Sequence, residues 1–161
     1  MKRLGLALVL AGLLATAAAP AALGCTAKIP VSDKETTVTL VSPGVSTTNG
    51  SVVSLRGMVV TEADESTSAF VAGTSTGVVN YDIDSGSGIG KIWGTDTKRP
   101  TAYPRGHWDC SFSGKMANGT WTAKGSCVGR GSLRGWKYTA DLAQTATFVA
   151  ATGYVFRTWH R

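Results

Sequence analysis

The sequence predicts an all-β fold, a single antiparallel β-barrel of about eight strands, with a β-sandwich as the alternative. Three observations predict it. Residues 106–129 spell out a hairpin that sets its own register around Asn118-Gly119. Apolar and polar residues alternate with a period of two along much of the remaining chain, and no amphipathic helical stretch interrupts them. Short clusters of Gly, Asn, Pro and Ser separate these stretches, and a Gly-punctuated meander most readily closes on itself, which removes its edges.

The hairpin is the best-defined element. Asn118 and Gly119 both tolerate the positive φ of a type I′ turn, whose twist matches that of the flanking strands. A two-residue turn sets Ala117 opposite Thr120, Met116 opposite Trp121, Phe112 opposite Gly125 and Cys110 opposite Cys127. Counting outward from the hydrogen-bonded pair Ala117/Thr120, the cysteines fall on a non-hydrogen-bonded pair. There Cα atoms lie roughly 4.5 Å apart, within disulfide range. The same count gathers Trp108, Cys110, Phe112 and Met116 with Trp121, Ala123 and Cys127 on an apolar face, and leaves Lys115, Thr122 and Lys124 on a wet one.

Residues 1–24 read as an export signal: Met1-Lys2-Arg3 is a basic start, an apolar run follows from Leu4, and small residues lead to Gly24. The apolar run is shorter than the roughly 20 residues of a membrane span, so cleavage is expected. Ala22-Leu23-Gly24-Cys25 resembles the lipobox of bacterial lipoproteins, although Leu stands one place nearer the Cys than usual, so ordinary signal-peptidase cleavage is the alternative. With Cys110 and Cys127 paired, Cys25 is the cysteine left over, which favours a lipid anchor there over a free or intermolecular thiol. The expected localisation is the bacterial cell envelope, membrane-anchored or secreted.

Residues 25–34 read as a flexible tether and residues 35–161 as the barrel domain. A first strand is expected over residues 36–41, closed by Pro43-Gly44, and Asn49-Gly50 as a second hairpin turn into a strand over residues 51–61. On that strand Val53, Leu55 and Val59 are expected to share a face. The acidic residues 62–66 read as a loop, 68–72 as a short strand, and 77–83 as a strand with Val79, Tyr81 and Ile83 opposite Asn80 and Asp82. A Gly/Ser turn at 85–87 leads into a strand ending at Thr97, and Lys98-Arg99-Pro100 opens a loop to Arg105. After the hairpin, the glycine-rich stretch 129–135 suggests a tight corner, and residues 136–142 and 147–156 supply two last strands.

The Gly-rich, Trp-bearing strands at Gly90-Lys91-Ile92-Trp93-Gly94, Gly106-His107-Trp108, Gly119-Thr120-Trp121 and 129–136 are similar to those of small bacterial barrels of the calycin and allene-oxide-cyclase-like kind. The resemblance spans most of the chain after the signal and implies an eight-stranded barrel with an apolar interior. Lipocalins carry Gly-x-Trp on their first strand, whereas here such motifs lie late in the chain, so no lipocalin site is transferred.

No cofactor or metal site is expected. Residues 86–91 lack the first glycine and the Ser/Thr of a phosphate loop, and no helix follows. Asp82-Ile83-Asp84 lacks the later ligands of a calcium loop, so a solvated turn is expected. His107 and His160 have neither metal-ligand nor triad spacing. Glu62, Asp64 and Glu65 could serve a paired-carboxylate enzyme at a barrel mouth, though acidic loops are commonly just soluble loops.

Charge divides the chain: residues 25–96 hold four basic and eight acidic side chains, residues 97–161 ten basic and two acidic. That asymmetry suits an anionic partner or, more commonly, a solvated face. Trp108, Trp121 and Trp136 interleave with lysines and arginines as in single-strand nucleic-acid binders, but Trp108 and Trp121 share the apolar face while Lys115 and Lys124 share the wet one. Nucleic acid is therefore not an expected partner.

Three functional classes follow. The leading one is a binding barrel for a small apolar molecule lined by Tyr81, Trp108, Phe112, Met116 and Trp121. An interaction or enzyme-inhibitor module of the envelope is the second, and an isomerase- or cyclase-like enzyme, which needs a polar group inside the barrel, is the third.

Overall fold

The computed structural model describes residues 27–158, and among these the chain is all strand, turn and loop. Nine strands run in order: β1 (Lys28–Ser42), β2 (Val45–Asn49), β3 (Val52–Ser66), β4 (Gly73–Asp84), β5 (Gly90–Pro100), β6 (Gly106–Ala117), β7 (Thr120–Gly131), β8 (Trp136–Gln144) and β9 (Val149–Arg157). Every neighbouring pair is antiparallel. β1 pairs with β9 on one side and with β3 on the other, so eight strands form a hydrogen-bonded ring, and β2 extends outward from the free half of β3. The expected all-β fold is present.

The β6–β7 hairpin has the expected register from Ala117↔Thr120 to Cys110↔Cys127. Asn118 and Gly119 adopt φ of 52° and 76°, as a type I′ turn demands. A disulfide joins Cys110 to Cys127, whose Cα atoms lie 4.0 Å apart. The second turn sits one residue later than expected: Asn49 pairs with Val52, leaving Gly50 and Ser51 as the loop, with φ of 61° at Gly50. Glycine in the first central place is the requirement of a type II′ turn.

Five expectations need correction. The tether is largely strand, since β1 begins at Lys28 and pairs with β9 from Lys28↔Phe156 to Glu35↔Val149. The acidic segment 62–66 is the end of β3 rather than a loop, and residues 67–72 turn rather than form a strand. Lys98 and Pro100 belong to β5, not to the loop after it. The faces of β3 also change over partway, because Leu55 pairs with Tyr81 but Met58 with Val79, so an extra residue is inserted near Gly57, at φ 68°. A bulge of this kind shifts every later side chain by one place. Val59 therefore lies opposite Val78 on the outer face, and Val60, Glu62 and Asp64 turn inward. A register shift in β1 sets Leu40 opposite Val60, and Leu40 is 55% exposed.

One end of the ring is plugged. Trp108 is fully buried and donates its Nε1–H to the carbonyl of Phe70 at 2.7 Å. Phe70 lies between Tyr103 and Trp136, at ring-centroid distances of 4.9 and 4.7 Å. Val71 and Leu133 complete this core with no solvent exposure. The turns and loops supplying these residues all lie at one end of the alternating strands. The β6–β7 turn and the β8–β9 loop lie at the other.

Candidate functional site

Inside the ring, five carboxyl groups surround one ammonium. Asp33 and Glu35 come from β1, Glu62 and Asp64 from β3, and Asp96 and Lys98 from β5. Each pair is spaced by two residues on one strand, so both members point to the same face. The register carries them inward together: Glu35 pairs with Asp64, Glu62 with Ser75, Ser75 with Lys98, and Lys98 with the core residue Trp108.

Lys98 is 3% exposed and donates to Glu35 Oε1 at 2.7 Å and to Asp64 Oδ1 at 2.9 Å. Its Nζ also lies 3.5 Å from Asp33 Oδ2 and 3.6 Å from Asp96 Oδ2. Ser75 Oγ donates toward Glu62 and Asp64 at 3.4 and 3.3 Å. Those donors are too few. Among the described residues, both carboxylate oxygens of Asp33, Oδ2 of Asp64, Oδ1 of Asp96 and the Tyr138 hydroxyl are buried without a hydrogen-bond partner.

The electrostatics follow from burial. Loss of water pushes the carboxyls of Asp33 and Asp96 up to about 6, against the pull of Lys98. Burial, then repulsion from Glu35 and Asp96, pushes Glu62 up to about 7. Burial works against the Lys98 ammonium, yet Glu35, Asp64, Asp96 and Asp33 together outweigh it and hold its pKa well above the ordinary value. Burial also raises the Tyr138 hydroxyl. Asp33, Glu35 and Asp64 converge as ligands of a metal would, and the Lys98 ammonium already sits among them.

A cavity of about 60 Å³ adjoins this cluster. Glu35, Glu62, Asp96, Lys98 and Tyr138 are its polar lining, and Phe112, Trp121, Leu142 and Val149 its apolar lining together with the cystine. Phe112 and Trp121 stack, their ring centroids 6.3 Å apart. Gly94 makes room for Phe112, because a Cβ there would meet the ring at 2.6 Å. Two wall positions, Gly77 and Gly125, carry no side chain although a Cβ at either would have ordinary nearest contacts of 3.5 and 3.4 Å. Their absent side chains hold the space open. Glu35, Glu62, Val79, Trp121 and Val149 are shared with a wider vestibule of about 300 Å³, bounded by Met58, Ile92 and the β8–β9 loop.

Of the aromatic and sulfur-bearing residues expected at a ligand site, Phe112 and Trp121 are in the cavity wall. Trp108 is in the plug. Met116, opposite Trp121, and Tyr81, opposite Leu55 and Ile92, are half-buried but outside the lining. Cys25 lies outside the described residues. Of the acidic trio expected at a mouth, Glu62 and Asp64 point into the ring, whereas Glu65 is exposed and pairs with Lys34 at 3.4 Å. Asp84 instead caps its own turn, accepting from the backbone N–H groups of Gly86 and Ser87 at 3.1 and 2.8 Å.

Fold and site together define a closed antiparallel β-ring with a charged inner chamber. Compared with known families and with curated proteins, the sequence finds no match. Among solved structures the fold is similar to the crystal structure of a protein of unknown function of the DUF3224 family from Shewanella oneidensis MR-1. The two share 16% identity, the match covers 84% of this chain and 99% of that one, and the TM-score is 0.50. At that identity the likeness is one of fold alone. It accords with a barrel-like all-β architecture and identifies neither a calycin nor a cyclase.

Proposed function

We propose that the ring is a receptacle for a small, largely apolar molecule that enters through the vestibule and rests against Phe112 and Trp121. The observation carrying this reading is the internal cavity, lined largely by apolar residues and sharing five wall residues with the vestibule. Iodobenzene, small, neutral and a heavy-atom quencher, tests it. Saturable quenching of tryptophan fluorescence that disappears in Trp121→Phe supports the receptacle; quenching that only rises linearly with concentration, as for exposed rings, overturns it.

The receptacle is read as an exported protein, anchored through an acylated Cys25. The Cys110–Cys127 disulfide is compatible with an oxidising compartment. Intact mass after bacterial expression tests the anchor: a mature species beginning at Cys25 with an acyl increment supports it, and any other start removes it.

An isomerase- or cyclase-like activity is the second reading, favoured by one residue. Glu62 borders both cavity and vestibule with a pKa near 7, the range in which a carboxyl can both take and return a proton. A module that holds an envelope protein at its rim draws on exposed Leu40, Val41, Val45 and Ile89. Turnover lost in Glu62→Gln with binding retained would favour the enzyme.

A further inference from the structure

We propose that the molecule taken up by this chamber carries a positive charge, its ammonium head seated among Glu35, Glu62 and Asp96 and its apolar body in the throat formed by Phe112 and Trp121. The inference rests on the receptacle reading and names the class of its ligand.

The first support is an imbalance of donors and acceptors. Within the cluster, Asp33, Glu35, Glu62, Asp64 and Asp96 face a single ammonium, and Lys98 spends its hydrogen bonds on Glu35 and Asp64. Asp96 is 8% exposed, lines the cavity and has Oδ1 without a partner among the described residues. Glu62, also in the wall, accepts only the long 3.4 Å bond from Ser75 among the hydrogen bonds of the site. A buried acceptor without a donor is costly, and a ligand N–H group relieves that cost. A carboxylate ligand would add a like charge to the cluster. A purely apolar ligand gains the apolar lining but leaves Asp96 and Glu62 without a donor.

The second support is the aromatic part of the wall. The stacked rings of Phe112 and Trp121 line the same cavity as Glu35, Glu62 and Asp96, and aromatic faces attract ammonium groups. Carboxyls and π faces around one cavity suit a cation with an apolar body. The raised pKa values of Glu62 and Asp96 agree with this, because a cation beside them would favour their ionised forms.

Affinity for such a ligand should therefore rise with pH through the window from about 6 to about 7 in which Asp33, Asp96 and Glu62 ionise. The groups facing the head are Asp33 and Glu35 from β1, Glu62 and Asp64 from β3, Asp96 and Lys98 from β5, and Tyr138 from β8; β4 adds the uncharged Ser75. Lys98 remains charged across this window and opposes the cation equally at both ends of it.

Isothermal titration with three probes of one shape provides the test: cyclohexylammonium, cyclohexanol and cyclohexanecarboxylate. At pH 7.5 the ammonium should bind at least about tenfold more tightly than the alcohol, a difference of roughly 1.4 kcal/mol. At pH 5.5 that advantage should fall severalfold while alcohol binding is unchanged, and Glu62→Gln should narrow it at pH 7.5. Asp96→Asn serves if the Glu62 variant does not fold. Alcohol or carboxylate binding as tightly as ammonium overturns the cationic ligand and leaves the receptacle standing. Failure of all three probes removes both.

Discussion

The Nζ of Lys98 donates to Oε1 of Glu35 across 2.7 Å, joining two residues 63 apart in sequence inside a ring that otherwise has an apolar plug. Lys98 thereby ties β5 to β1 across the interior, and its contact with Asp64 brings in β3. Removing one partner of a buried pair leaves an uncompensated charge and costs about 3–5 kcal/mol. Lys98→Met should lower stability by that order at pH 8, measured by urea denaturation. The loss should shrink at pH 5, because Asp33, Asp96 and Glu62 take up protons. A loss below about 1 kcal/mol at pH 8 would mean that the cluster is solvated rather than buried.

Stability should also depend on pH with an unusual sign. Asp33 and Asp96 move from 3.8 to about 6 on folding and Glu62 from 4.5 to about 7. Their folded values are raised, so between these limits the native state binds more protons than the unfolded chain. Their contribution is fully present below about pH 4 and is lost as pH rises through 6 and 7. Asp82 and Asp84 act oppositely: hydrogen bonds, led by Ser54 and Ser51 respectively, lower them to about 2, and what they add fades as pH falls below 3.8. The melting temperature should therefore peak near pH 4 and fall by about 4 °C or more by pH 8, corresponding to ~1 kcal/mol. A flat profile from pH 5 to 8 in calorimetry would contradict the raised carboxyls.

The Cys110–Cys127 bridge closes the hairpin at a sequence separation of 17 and forms part of the cavity wall. For a loop of this size the chain-entropy contribution is about 3 kcal/mol, an upper figure because the Asn118-Gly119 turn already favours closure. The double variant Cys110→Ser/Cys127→Ser should lose up to that amount in chemical denaturation. Peptide mapping without reduction should recover Cys110 joined to Cys127, with Cys25 outside the bridge. Cys25 linked to either one would contradict the register.

The strand ring was legible where local signals agree. Turn chemistry and strict alternation place residues 106–131 without help from the rest of the chain, and they set Phe112 and Trp121 on one face because hairpin register is a local property. The charged cluster was hidden for a different reason. Period-two reading treats an inward-facing Asp, Glu or Lys as an interruption, so residues 25–34, 62–66 and 98–100 read as tether or loops although all or part of each lies in a strand. A signal was present: Asp33-x-Glu35, Glu62-x-Asp64 and Asp96-x-Lys98 repeat one spacing that keeps both charges on one strand face. What local pattern cannot supply is the pairing of β1 with β3, which brings Glu35 opposite Asp64 from distant parts of the chain. Nor does it fix the bulge at Gly57, which turns Glu62 inward.

The chamber itself is tested most directly by filling it without disturbing its walls. Neither Gly77 nor Gly125 has the positive φ that would bar a side chain, and a Cβ at each meets only ordinary contacts. The double variant Gly77→Ala/Gly125→Ala should keep cooperative unfolding with a melting temperature at or above the wild type, since alanine replaces glycine in strands. The deciding measurement is iodobenzene titration of this variant beside the wild type, followed by tryptophan fluorescence. Saturable quenching in the wild type and its loss in the folded double variant is the expected result. Equal saturable quenching in both proteins would contradict a binding chamber inside the ring.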